Sequence, residues 1–257
     1  MNIISIIPAR MGSSRFPGKP MADILGMPMI GHVYKRVKMS KLLSEVYVAT
    51  CDKVIYDYVE SIGGNAVMTS DCHERCSDRC AEAMLKIEQD ENKKVDIMVM
   101  VQGDEPLTFP EMIDEAVQPM LDDKKLIITN LVADLETVEE FNDPNEVKVV
   151  MDKNNNALYF SREPIPSRKK GILEVPMKKQ VCVIPFTRDF LLEYNEMEPT
   201  PLEIIESVDM MRILENGMNV KMIPTNYDTK AVDTKEDLEK VTKIMKKDAL
   251  CKQYLSI

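Results

Sequence analysis

Short apolar runs alternate with amphipathic helical stretches through the first 121 residues, and this alternation limits the fold more than any other feature of the chain. Residues 3–8, 45–49, 66–69 and 96–101 read as strands, and residues 28–38, 53–61, 77–88 and 110–121 as helices. The run D-I-M-V-M-V at 96–101 is apolar at all but its first position, the pattern of a strand buried on both faces. Gly63-Gly64 closes the second helix, Ser77 stands where an N-cap would open the third, and Pro110 begins the fourth. Strands joined by helices of this length form right-handed βαβ units. The expectation is an α/β fold with a mainly parallel central sheet.

From residue 126 the pattern changes. Residues 126–133, 146–152, 157–160 and 181–186 read as strands with few helices between them. This predicts a mixed or antiparallel extension over about 126–190, a natural place for a subunit interface. A helix over 202–215 ends at Asn216-Gly217, a strand covers 220–224, and a last helix spans about 234–247 with Leu238, Val241 and Met245 in one stripe. No repeat, low-complexity tract or linker cuts the chain, so residues 1–257 read as one domain.

Three stretches carry chemistry. The strand at 3–8 empties into A-R-M-G-S-S-R-F-P-G-K-P, where Arg10, Arg15 and Lys19 crowd beside Gly12, Ser13, Ser14 and Gly18. Backbone N–H groups and cations at a strand end suit a polyphosphate. The loop is neither a Walker A motif, because Pro20 follows Lys19 where Ser or Thr is required, nor G-x-G-x-x-G. The second stretch, V-Q-G-D-E-P at 101–106, ends a buried strand in Gln102, Gly103 and Asp104; a carboxylate at that sheet edge suits Mg²⁺. The third, A-V-D-T-K-E-D-L at 231–238, offers Asp233, which the residues alone leave open between helix cap and ligand.

Net charge is −10, which disfavours nucleic-acid binding and makes the basic loop stand out as a pocket for a small polyanion. No apolar run approaches the roughly 18 residues of a membrane span, and the N-terminus lacks a signal-peptide pattern, so a cytoplasmic enzyme without a membrane partner is expected. Cys72, Cys76 and Cys80 recur every four residues beside His73; the spacing is wrong for a paired zinc motif and reads as small hydrophobes along one helix face.

Taken together, the three stretches resemble the bacterial 3-deoxy-manno-octulosonate cytidylyltransferases, with sialic acid cytidylyltransferases more distant. I-L-G-M-P-M-I (24–30), N-E-V-K-V-V-M-D (145–152), A-L-Y-F-S-R (157–162) and P-L-E-I-I-E (201–206) with Arg212 extend the resemblance from residue 3 to about 245. It implies a nucleotide-diphospho-sugar transferase fold, a homodimer, Mg²⁺ as cofactor, and transfer of CMP from CTP to a small anionic acceptor with release of pyrophosphate. By the same resemblance Arg10, Arg15, Lys19 and Asp104 are the catalytic set. Ala9, Ser13, Ser14, Arg75, Ser77 and Arg79 join Arg10, Arg15 and Lys19 around the nucleotide, and Asp104 and Asp233 ligate the metal. Gln102, Arg162, Gln180, Ile184, Asp209 and Met210 face the acceptor. Lipopolysaccharide or capsule sugar synthesis is the setting this implies.

The departures from the family pattern cluster. Where the family has H-x-S-G-T-x-R, residues 73–79 read H-E-R-C-S-D-R, with Arg75 and Cys76 replacing Ser and Gly. Where it has H-L-G-I-Y-G-Y, residues 180–186 read Q-V-C-V-I-P-F, and a Glu-Gln pair becomes Asp209-Met210. The phosphate and metal parts are kept while the acceptor parts differ, which points to an acceptor other than the usual octulosonate, another sugar acid or a phosphonate-like anion; the new guanidinium at Arg75 offers a bidentate anion contact. A catalytically decayed nucleotide-binding paralogue and a GT-A-like glycosyltransferase are the competing readings. The first is opposed by intact Lys19, Asp104 and Asp233, the second by the lack of a D-x-D element.

Overall fold

All seven residues of β1 (Ile3–Ala9) are buried, because this strand runs through the middle of a sheet covered on both faces. In the computed structural model, which describes residues 1–13, 15–172, 174–227 and 229–255, the chain then makes the small hairpin β2 (Asp23–Ile24) and β3 (Met27–Pro28) and the helix α1 (Met29–Val37). β4 (Glu45–Thr50), α2 (Lys53–Ser61), β5 (Asn65–Met68), α3 (Cys76–Glu91), β6 (Ile97–Val101) and α4 (Pro110–Asp122) follow in strict alternation. β1, β4, β5 and β6 pair in parallel, as the alternation requires.

Side chains of β1 divide by period two. Ile3 and Ile7 pack with Ile30, Val33, Ile55, Val59, Met112 and Ile113 of α1, α2 and α4. Ile4 and Ile6 face the opposite layer, with Ala83 and Met84 of α3. That opposite layer is completed by later elements.

The second half is β7 (Thr129–Asp134), α5 (Val138–Asn142), β8 (Lys148–Met151), β9 (Ala157–Ser161), β10 (Lys178–Val181), β11 (Val183–Thr187), α6 (Arg188–Glu196), α7 (Pro201–Glu206), α8 (Met210–Glu215), β12 (Lys221–Pro224), α9 (Lys235–Met245) and α10 (Ala249–Leu255). The first sheet runs β11-β6-β1-β4-β5, with β11 antiparallel at its edge, and a second runs β12-β7-β10-β8-β9 among the described residues. The fold is therefore α/β with a mainly parallel central sheet.

Several expectations need correction. The single strand expected over 181–186 is two strands in two sheets: Val181 pairs with Leu131, Val183 with Val101, and Cys182 is the crossing point. Both sheets bury this segment, so its continuous apolar run gives no sign of the switch. The extension is likewise not contiguous over 126–190, since it surrenders 183–187 to the first sheet and recruits β12 from 221–224. The expected helix over 202–215 is broken at Ser207, whose φ of 52° is left-handed. Glu206 explains the break: its carboxylate accepts from Ser161, Tyr159 and the Arg162 amide, pinning the turn to β9. Arg75, not Ser77, holds the N-cap position of α3. That helix begins at Cys76, so Cys72 is exposed on the preceding loop and only Cys76 and Cys80 lie on the helix. Helices α5, α6 and α10 were not anticipated.

α7 and α8 are held together by a bidentate ion pair. Arg212 donates Nε and Nη2 to the two Glu203 oxygens, each at 2.7 Å, with its guanidinium 4.7 Å from the Tyr194 ring centre. Glu203 is fully buried and Arg212 is 4% exposed. Replacing Arg212 by Met strips Glu203 of its bidentate partner in a buried site, and about 3–5 kcal/mol of stability is the expected loss; urea denaturation of the two proteins measures it.

Candidate active site

β1 and β6 lie side by side, with Ile6 opposite Met100, so the loops leaving their C-terminal ends start together. This is where ligands bind in open α/β sheets. Gly103 lets the loop after β6 pack against the end of β1: a Cβ there would stand 2.9 Å from the Pro8 carbonyl oxygen. The 10–19 loop is closed by Gly18, whose φ of 76° suits glycine and whose N–H donates to the Met11 carbonyl at 2.9 Å. Asp52 holds the same loop by accepting the Met11 amide at 2.7 Å.

Lys19 emerges from this loop between two carboxylates. Its Nζ donates to Asp104 Oδ2 at 2.5 Å and to Asp233 Oδ1 at 3.1 Å. Arg15 Nη2 reaches the same Asp233 oxygen at 2.9 Å, and Arg15 Nη1 donates to Asn145. Burial alone would lower the Lys19 pKa, but the Asp104 and Asp233 carboxylates outweigh it and hold the ammonium above its ordinary value. The alternatives for Asp233 are now separable. Thr234 is the N-cap of α9, in a reciprocal capping box with Asp237, which leaves the Asp233 carboxylate to the site. The Val232 amide donates to the Asp104 carbonyl at 2.8 Å, tying the third stretch to the second.

A cavity of about 240 Å³ opens over this cluster, lined by Ala9, Arg10, Ser13, Arg15, Lys19 and Asp104 among others. Ser14 lies outside the described residues. Arg10 also borders a small recess with Arg75 and Arg79. Arg79 is buried, donates through Nη1 to Thr69 and to the Ser70 carbonyl, and keeps an Nη2 without a protein partner. Ser77 does not reach the cavity: it is fully buried in the first turn of α3.

Gln102, Arg162, Gln180, Ile184, Asp209 and Met210 converge on a neighbouring cavity of about 260 Å³. Arg75, expected at the nucleotide, lines this cavity too and bonds Asp209. Gln102 and Cys76 border both cavities, and the Cys76 thiol, pushed up to about 11 by burial, donates to Gln102 Oε1 at 3.4 Å. Gln180 is fixed by a 2.6 Å bond to Asn130 Oδ1. Arg162 is committed to three main-chain carbonyls, those of Pro144, Glu206 and Ser207.

The sequence reading missed residues of a third cavity of about 210 Å³, including Glu105, Lys179 and Asn145. Glu105 lies beside Asp104 in the V-Q-G-D-E-P stretch; burial pushes its carboxyl up to about 7, and its Oε2 has no protein partner. Two adjacent acids were visible in the sequence, but not which of them faces the cations.

The family model described as Cytidylyltransferase matches residues 4–223. The chain belongs to the cytidylyltransferase family. A 3-deoxy-manno-octulosonate cytidylyltransferase from Geotalea uraniireducens is 43% identical over 257 residues, spanning 96% of this chain and 100% of that one. A second from Thermodesulfovibrio yellowstonii is 44% identical over 252 residues, spanning 95% and 98%. The solved structure of CMP:2-keto-3-deoxy-manno-octonic acid synthetase complexed with CTP superposes with a TM-score of 0.88 at 37% identity, over 96% of this chain and 99% of that one. At 13% identity, a 4-diphosphocytidyl-2C-methyl-D-erythritol synthase structure from Anaerococcus prevotii shares the nucleotidyltransferase fold with a TM-score of 0.62, over 96% of this chain and 99% of that one. As a cytidylyltransferase, the chain is a nucleotidyltransferase enzyme.

The contact at Gly103 gives a test of this cytidylyltransferase site. Gly103→Ala forces the loop after β6 away from the end of β1 and is expected to cost about 1–3 kcal/mol. Thermal melting should show that loss, and calorimetric titration with CTP should show weakened binding.

Proposed function

We propose that the protein transfers CMP from CTP to a hydroxyl of 3-deoxy-manno-octulosonate or a closely related sugar acid. The acceptor oxygen bonds to the α-phosphorus, the bond from that phosphorus to the β-phosphate bridging oxygen breaks, pyrophosphate departs, and the hydroxyl proton is lost to solvent. Transfer of this kind is positioning plus charge neutralisation and needs no protein nucleophile. The observation that carries the reading is the meeting of Arg15, Lys19, Asp104 and Asp233 in the wall of the cavity of about 240 Å³, which shares Gln102 with the neighbouring cavity of about 260 Å³. Support for the acceptor comes from the names of the relatives at 43–44% identity.

Asp104 and Asp233 fit Mg²⁺. Both turn hard oxygens toward one point, where Lys19 bonds them, and two carboxylates with phosphate and water are the usual shell of this ion beside nucleotides. When bound, Mg²⁺ would neutralise phosphate charge and acidify the attacking hydroxyl. Lys19 and Arg15 then turn their charges to the triphosphate. Ser13 and the loop amides hold it, while Gln102 orients the acceptor.

We also propose a homodimer through the exposed apolar side chains of β9 and α7. β9 is an outer strand of the second sheet; Leu158 on it is 60% exposed, and Ile204 and Ile205 on α7 are 62% and 74% exposed. A Tyr159–Glu206 hydrogen bond joins the two elements. Exposed apolar side chains grouped on adjoining elements suit a self-complementary contact. Sedimentation at micromolar concentration should give twice the chain mass, and Ile205→Glu should give the monomer. No helix among the described residues is long and apolar enough to cross a membrane, and a CTP-consuming enzyme of this kind would work in the cytoplasm.

Pyrophosphate release from CTP, Mg²⁺ and the octulosonate tests the activity. Lys19→Met should retain the fold and lose at least about 100-fold in kcat, the scale for removing a group that stabilises developing charge. No release with any sugar acid would overturn the reading.

A further inference from the structure

The cavity of about 260 Å³ beside the nucleotide loop combines an apolar wall with a polar end at Arg75 and Asp209, while Gln102, Arg162 and Gln180 border it elsewhere. Met100, Val147, Ile184, Val208 and Met210 supply the wall. At the polar end Arg75 Nη1 donates to Asp209 Oδ1 at 2.5 Å, and Nη2 stands 3.5 Å from Glu203 Oε1. Glu203 is itself clamped by Arg212 from the other side, so the Arg75 guanidinium is tied to a rigid strut. Two positions where this chain departs from its family's pattern, Arg75 and Asp209, are therefore bonded to each other.

Charge decides what such an end can hold. Within the cavity Arg75 and Arg162 are opposed by Glu74 and Asp209, and Arg162 is already bonded to three carbonyls. A second anionic group on the acceptor would have to displace Asp209 and then face it and Glu203 at close range. A hydroxyl suits the pair better. A guanidinium offers five donors and a carboxylate two acceptor oxygens, so the pair can both donate and accept beyond its own bond. An alcohol does the same. The new guanidinium, read from the sequence as an anion contact, is held by the protein's own carboxylates instead.

We propose that Arg75 and Asp209 act as one hydroxyl-reading unit that selects acceptors with an uncharged, hydroxylated far end. The proposal rests on the cytidylyl-transfer reading. Gln102 borders both cavities and marks where acceptor and nucleotide meet; an acceptor reacting there extends its far end along the apolar wall to the pair. Arg75 also lines the recess beside Arg10 and Arg79, so the same residue borders both spaces.

The test compares the wild type with Arg75→Met and Asp209→Asn on three acceptors: 3-deoxy-manno-octulosonate, its analogue without the terminal hydroxyls, and its analogue with a terminal carboxylate. Pyrophosphate release from CTP gives kcat and KM for each. Hydrogen bonds to charged groups make the wild type prefer the hydroxylated acceptor over the deoxygenated one by about 10-fold or more in kcat/KM. Both variants should lose that preference through the acceptor KM, and Asp209→Asn, at a position that borders only the cavity of about 260 Å³, should bind CTP within about threefold of the wild type by calorimetry. Asp209→Asn keeps the size of the side chain, so it reports on the pair if Arg75→Met fails to fold. Preference retained in the variants, or a wild type that favours the terminal carboxylate, would overturn the pairing role and leave cytidylyl transfer standing. Absence of release by the wild type with every acceptor would remove both.

Discussion

The Lys19 ammonium, held between Asp104 and Asp233, is the contact on which the site depends. It joins residues 85 and 214 positions apart in the chain. Each comes from a different element: a loop after the central strand, a loop after its neighbour, and the segment just before α9. With the cation and acids neutralising each other, a highly charged cluster can persist at a half-buried sheet edge before a nucleotide arrives. Ion pairing of this kind leaves both charges available, because an anion can replace the carboxylates at Lys19 and a cation can replace Lys19 at the carboxylates.

The acceptor side is organised by a second buried cation. Lys148 has no exposed surface, and its ammonium donates to the carbonyls of Asp143, Glu146 and Arg162 at 2.6–2.7 Å. All three of its donors are thereby used, which lets a charge remain in a site where burial pulls its pKa down. The turn it fixes presents Asn145 to Arg15 and Val147 to the cavity of about 260 Å³. The turn before β8, fixed by Lys148 on main-chain carbonyls, thus bridges the 10–19 loop and the wall of that cavity.

The first half of the fold was legible because each strand is short, apolar and separated from the next by a helix with clear stop signals. α2 falls on the expected residues, 53–61, and β6 begins one residue inside its expected span. The second half was legible only in outline. Cys182 separates two strands that join different sheets, yet both neighbours are apolar and buried, so periodicity is silent there. The break at Ser207 depends on Glu206 bonding across to β9, a partner more than 40 residues away. Ser77 looked like a cap because local sequence offers a hydroxyl there; burial of the first turn of α3 against the rest of the molecule set the helix start earlier.

What the sequence determined by itself was the chemistry on offer: a basic glycine-containing loop after a buried strand, acids at the ends of two later segments, and a pattern shared with cytidylyltransferases. Only the tertiary structure decided how those groups are spent. It showed that Thr234 caps α9 and frees Asp233, that Arg162 is tied to carbonyls, and that Arg75 is bonded to Asp209 instead of standing free. The reason is physical. A charged side chain's role is set by which opposite charges and carbonyls lie within about 3 Å in a low-dielectric setting, and those neighbours come from segments that the linear order keeps far apart.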